Sequence, residues 1–234
     1  ALLRTRVIRE RALGKHFSLT TTDNHSLGAY RADPSGTPKG AMVVAQEIFG
    51  VNSHIRNVCD RLAAAGYVAV APALFDRFER DFQSGYSAEE VAHARSFLGK
   101  IDWTKMLLDI QAGIDSVKSA GPVGVIGFCM GGSAAFLAAT RLTGLKAAVA
   151  FYGGQIVKYA DEKPKCPVQM HFGETDASIP MSDVEIVKQK RPDCEIYVYP
   201  AGHGFNCDER ASFHDASATL AWERTLAFLG KHMK

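Results

Sequence analysis

Two hydrophobic rhythms divide the chain. HFSLTT, TDNH and SLGAYRAD alternate apolar and polar positions with a two-residue period around a turn-rich centre, which predicts an opening antiparallel hairpin. From residue 41 the pattern changes to continuous apolar runs: AMVVAQE (41–47), YVAVAP (67–72), PVGVIGFC (122–129), LKAAVAFYG (145–153), PVQMHFG (167–173) and CEIYVYP (194–200). Such runs read as strands buried on both faces. Helical patterns lie between most of them. NSHIRNVCDRLAAAG (52–66) opens on an Asn cap and repeats apolar residues at Ile55, Val58, Cys59, Leu62 and Ala63. SAEEVAHARSFLG, DWTKMLLDIQAGIDSVK, GGSAAFLAATRLT, PMSDVEIVKQK and ATLAWERTLAFLGKH continue the series. The expected class is α/β: a mainly parallel sheet with helices on both faces and an N-terminal antiparallel hairpin. With no internal repeat and no Pro/Gly/Ser-rich linker, residues 16–234 read as one domain behind a basic arm, residues 1–15, expected to be solvated or loosely docked.

Composition narrows the partner. The 234 residues are 47% hydrophobic and 22% charged, which excludes disordered, collagen-like and low-complexity classes. Lys and Arg number 27 against 25 Asp and Glu, a formal charge of +2, so nothing attracts the chain generically to nucleic acid or an anionic membrane. A small molecule is the expected partner, and a monomer or weak homo-oligomer the expected state. Five scattered cysteines (Cys59, Cys129, Cys166, Cys194, Cys207) form neither a disulfide framework nor a C-x-x-C site. That usage, with no apolar run of transmembrane length and no signal-peptide core, predicts a reducing, cytoplasmic location with free thiols and no metal or other cofactor. The polar stretch DRFERDFQSG (76–85) reads either as a plain surface loop or as a loop over a site.

The chemistry concentrates at Gly127-Phe128-Cys129-Met130-Gly131-Gly132, between the strand PVGVI and the helix SAAFLAAT. This is G-x-S-x-G with cysteine in the serine place. A nucleophile on a sharp strand-to-helix turn needs side chains removed two positions before and after it, and Gly127 and Gly131 meet that need. The turn also aims Cys129 at the positive end of a helix, where thiolate is favoured. A buried thiol in a Gly-rich turn is the bland alternative for the pentapeptide alone; G-x-G-x-x-G is not matched. A base and an orienting acid are required as well. Asp176, in HFGETDASIP, and His203, in YPAGHGF, each follow a strand and occur in the order nucleophile, acid, histidine. Glu174 competes with Asp176; His171 and His214 read as packing and surface residues.

These residues resemble the dienelactone hydrolases (carboxymethylenebutenolidases) of the α/β-hydrolase fold. The likeness runs from about Phe17 to Phe228 and rests on AQEIFGVN (45–52), GYVAVAPALF, GFCMGG, GETD and AGHGF. It implies Cys129 as nucleophile, His203 as base, Asp176 as orienter and Glu47 as a carboxylate facing the thiol, with backbone N–H groups of Met130 and Ile48 as the oxyanion hole. It further implies that Phe49, Phe75 and Tyr152 line the pocket. The implied activity is hydrolysis of small esters or lactones through an acyl-thioester. The family's two carboxylate-binding arginines are not matched cleanly: one position holds Cys207, and the other falls near Val91, where Arg95, one turn later, is the candidate substitute and substrate-binding residue, while Arg77 and Arg80 are near in sequence and read as surface charge. Without a bidentate cation dienelactone itself is not the expected substrate. The alternatives are hydrolysis of another electrophile in the same pocket, such as a phosphotriester or acyl-peptide, or redox sensing by Cys129.

Overall fold

A computed structural model describes residues 14–234, so the arm lies almost wholly outside the described residues. Strands β1 (Lys15–Thr20) and β2 (Ser26–Ala32) form the expected hairpin, pairing Lys15 with Arg31 and Thr20 with Ser26. β2 continues antiparallel onto β4 (Val68–Pro72). From there β3 (Ala41–Ala45), β4, β5 (Val123–Phe128), β6 (Leu145–Phe151), β7 (Val168–Gly173) and β8 (Glu195–Tyr199) are all parallel, in the spatial order β1-β2-β4-β3-β5-β6-β7-β8.

Every residue of β3, β4 and β5 is buried, which is why their sequences run apolar without alternation. Helices cover both faces. On one side lie α1 (Ser53–Ala64) and α7 (Asp215–His232), joined where the Arg61 guanidinium sits 3.9 Å from the Trp222 ring centroid. On the other, α3 (Trp103–Val117) packs on α4 (Met130–Arg141) and both contact β3. Opposite faces follow from right-handed crossovers that run in opposite directions across the sheet, from β3 to β4 one way and from β4 to β5 and β5 to β6 the other.

Local signals set the helix starts. The Asn52 side chain accepts from the Ile55 N–H at 3.3 Å at the head of α1. Ser87 and Glu90 form a reciprocal capping box that opens α2 (Ala88–Arg95). Helix α6 (Met181–Lys190) was legible in its spacing. The single turn α5 (Ile156–Tyr159) was not, because four residues are too few to show a period.

Because β4 and β5 flank β3 on opposite sides, the chain reverses its direction of travel across the sheet there. A crevice therefore opens at the carboxyl ends of β3 and β5. The residues just beyond those ends are Glu47, Ile48 and Phe49 on one side and Cys129 and Met130 on the other.

Candidate active site

Cys129 is the single residue between the end of β5 and the start of α4, and it adopts φ 56°, ψ −117°. A positive φ is costly for a residue with a side chain and survives only where the surroundings enforce it. Here the Cys129 N–H donates to the Phe151 carbonyl at 3.0 Å, while its own carbonyl accepts from Gly132 N–H at 3.0 Å and Ser133 N–H at 3.2 Å. The glycines are required by contact: a Cβ on Gly127 would collide with the Gly131 carbonyl, one on Gly131 with the Ala45 carbonyl, and one on Gly132 with the Phe151 carbonyl. The elbow therefore presses α4 directly onto the sheet and points the sulfur outward over the N-terminal end of that helix.

Asp176 and His203 reach the sulfur from two neighbouring strand ends. The His203 Nε2 lies 3.1 Å from Cys129 Sγ, and its Nδ1 lies 2.7 Å from Asp176 Oδ2. Asp176 is itself fixed: Oδ1 accepts from the Ser178 N–H at 2.7 Å and the Ile179 N–H at 3.1 Å. Burial works against charge on His203, yet the Asp176 hydrogen bond and then the sulfur outweigh it and push its pKa up to about 10. The Tyr152 ring supports His203 from behind, 5.1 Å from the imidazole centroid.

The sulfur opens into a cavity of about 380 Å³, a size suited to a small molecule. Its walls mix apolar groups such as Phe49, Leu98, Trp103 and Ile179 with two cations, Arg95 and Arg210. The Arg210 guanidinium lies 5.4 Å from the Phe49 ring centroid and 5.8 Å from that of Tyr86, and its Nη1 is 3.4 Å from Glu47 Oε1. Glu47 is 1% exposed. Beside it, His54 and Cys207 complete a buried trio whose donor atoms lie within 4.8 Å of one another.

The family model described as the dienelactone hydrolase family matches residues 27–233. The chain belongs to that family. A Synechocystis sp. protein provisionally named carboxymethylenebutenolidase is 35% identical over 93% of this chain and 97% of its own. The carboxymethylenebutenolidase of Pseudomonas putida is 30% identical, covering 93% and 96%. A crystal structure of a Klebsiella pneumoniae protein, provisionally named dienelactone hydrolase, superposes with a TM-score of 0.82 at 32% identity, covering 93% of this chain and 99% of that one. The protein is a dienelactone hydrolase-like hydrolase with the α/β-hydrolase fold.

The structure brings several of the expected residues together. Cys129, His203, Met130, Ile48, Phe49 and Arg95 all line the cavity. Glu47 is buried beyond the wall, with its carboxylate turned to Arg210. Phe75 and Tyr152 correct the expectation, because neither is on the wall. Phe75 is locked in an aromatic cluster with Phe78, Phe82 and Phe97, and Tyr152 is wholly buried under the imidazole, so both act as packing. The stretch 76–85 is held down by that cluster and by the Asp76 carboxylate, which accepts from the Gly28 N–H at 2.7 Å and the Asp81 N–H at 2.8 Å. The wall beyond Phe49 comes instead from Val91 to Trp103.

The arginines sort themselves by partner. Arg77 is taken up by Asp23 at 2.9 Å and Asp109 at 2.8 Å, and Arg80 by Asp76 at 3.2 Å. Cys207, where a cation was expected, is buried and donates to the Tyr86 hydroxyl at 3.3 Å. Sequence reading missed Arg210, three positions further on. The signal was present only as a lone arginine in a loop.

Proposed function

We propose that the protein hydrolyses small carboxylate-bearing lactones or esters through a Cys129-His203-Asp176 relay. The observation that carries the reading is the continuous chain of contacts, 3.1 Å from sulfur to imidazole and 2.7 Å from imidazole to carboxylate, opening on a cavity at a strained elbow. Cys129 Sγ attacks the substrate carbonyl carbon while its proton rests on His203 Nε2. The carbonyl oxygen takes up the negative charge, held by the N–H groups of Met130 and Ile48. Collapse breaks the C–O bond, the leaving alkoxide receives the proton from His203 Nε2, and an acyl-thioester remains. Water then loses a proton to His203, attacks the thioester and releases the acid, returning the sulfur. Asp176 holds the imidazole in register and offsets its positive charge throughout.

Arg210 and Arg95 supply what the sequence comparison left missing, two cations on the wall of the same cavity. They favour a substrate that carries a carboxylate near the scissile bond, with Phe49 and Trp103 covering its apolar part. A substrate carboxylate arriving at Arg210 competes with Glu47 for it, and so frees the Glu47 charge beside the nucleophile. Replacing Cys129 by Ala and assaying an activated aryl ester tests the nucleophile: turnover is expected to vanish with the fold intact, and retention of more than a small fraction contradicts the assignment. Rates on matched anionic and neutral lactones test the substrate class, a neutral preference being the contrary result.

A further inference from the structure

Behind the cavity wall lies a set of donors that the proposed hydrolysis does not use together. Glu47, His54 and Cys207 are 1%, 1% and 0% exposed, and one ligand atom from each falls within 4.8 Å of the others. Two of the three carry buried atoms with no hydrogen-bond partner, Glu47 Oε2 and His54 Nε2. The Tyr152 hydroxyl and both polar atoms of the Asn206 side chain are buried and unpartnered as well. Orphaned buried polar atoms cost free energy and call for a ligand, and a carboxylate whose ion pair is a single 3.4 Å contact is poorly compensated.

We propose that Glu47, His54 and Cys207 form a binding site for a zinc-like divalent cation. The donor types select the ion: thiolate, imidazole and carboxylate together suit Zn²⁺, whereas magnesium and calcium take oxygen ligands. Tetrahedral coordination at about 2.0–2.3 Å places ligand atoms roughly 3.4–3.7 Å apart, so side-chain torsions need draw the trio in by about 1 Å. Three protein ligands leave a fourth position for water. His54 is suited to the role. Its Nδ1 faces the Asp208 carboxylate at 4.0 Å, leaving the buried, unpartnered Nε2 as the ligating nitrogen. Binding forms the Zn–S bond and sends the Cys207 proton to solvent, about one proton per ion. The Tyr86 hydroxyl, which accepts from that thiol at 3.3 Å, turns to donate to the thiolate.

Loading engages the Glu47 carboxylate, so the charge that an anionic substrate would free at Arg210 is no longer available to the nucleophile and zinc slows hydrolysis of such substrates. This consequence rests on the esterase reading; the binding does not. The test is titration of the purified full chain with Co²⁺, followed by Zn²⁺ competition, in the wild type, Cys207→Ala, His54→Gln and Cys129→Ala. One equivalent of a sulfur-to-cobalt charge-transfer band is expected in the wild type and in Cys129→Ala. Cys207→Ala should lose the band and bind zinc at least about tenfold more weakly. It removes one buried sulfur, so it keeps the test open if His54→Gln fails to fold. No saturable band in the wild type, or a band that survives Cys207→Ala and disappears in Cys129→Ala, overturns the site. A protein that binds cobalt as expected but hydrolyses no ester sinks the esterase reading and leaves the site standing.

Discussion

His171 and His203 stand against the same aromatic wall and carry opposite charge behaviour. His171, inside β7, stacks on Phe151 at 4.4 Å between ring centroids, and His203, beyond β8, sits 5.1 Å from Tyr152. Both are desolvated. The partners of His171 are neutral, the Tyr199 hydroxyl at 2.8 Å and the Gln169 amide oxygen at 2.9 Å, so burial, aided by the Arg224 charge, pushes its pKa down to about 3. His203 meets a carboxylate and a sulfur, and its pKa goes up to about 10 despite burial. Burial alone makes an imidazole a neutral packing group. An anionic partner held in place by backbone N–H donors makes it a proton carrier.

The contrast breaks most severely in Asp176→Asn, which removes the anion and leaves the shape. Steady-state kinetics should show kcat/KM for an aryl ester falling by about 10³–10⁴-fold, with the His203 pKa lowered in an NMR titration. An unchanged rate would mean that the Asp176 contact is only structural. Arg210→Leu comes next, because it changes the substrate's partner and leaves the relay untouched. Rates on a carboxylate-bearing lactone should drop about 10- to 100-fold, in line with about 1.5–3 kcal/mol for a hydrogen bond to a charged group, while a neutral analogue is little affected.

His171→Ala sharpens the other half of the comparison. It leaves the Tyr199 and Gln169 partners unpaired, so thermal unfolding should show a loss of about 1–3 kcal/mol with ester kinetics unchanged. The smallest effect is on stability against pH. A folded-state pKa raised above the unfolded value contributes stability that is fully present below about 6.5 and is lost as pH rises through about 10. Denaturant unfolding of the wild type relative to His203→Gln should therefore show an advantage that shrinks across that window; a constant gap contradicts the assigned charge.

The same contrast explains what could be read from the chain. His171 lies within an apolar run and His203 just after one, and that position, with the order nucleophile, acid, histidine, separated packing from candidate chemistry. The elbow was legible because Gly127, Gly131 and Gly132 are demanded by backbone contacts, and steric need leaves a fixed spacing in sequence. Continuous apolar runs gave the parallel sheet away for a similar reason: burial on both faces dictates composition. Phe75 and Tyr152 were misplaced because an aromatic residue suits a core as well as a cavity wall. Arg210 escaped notice because it sits in an irregular loop with no period. Gly204, at φ 77°, lets the chain fold so that the Arg210 guanidinium covers its α-carbon, a contact that spacing does not encode.

The central claim is that Cys129 becomes acylated. Intact-mass spectrometry on protein quenched during turnover of a slowly released acyl ester, with peptide mapping of the adduct, tests it most directly. A mass gain of one acyl group located on Cys129 is expected, accumulating in the wild type and absent from Cys129→Ala. Turnover without any adduct, or an acyl group found on another residue, would contradict it.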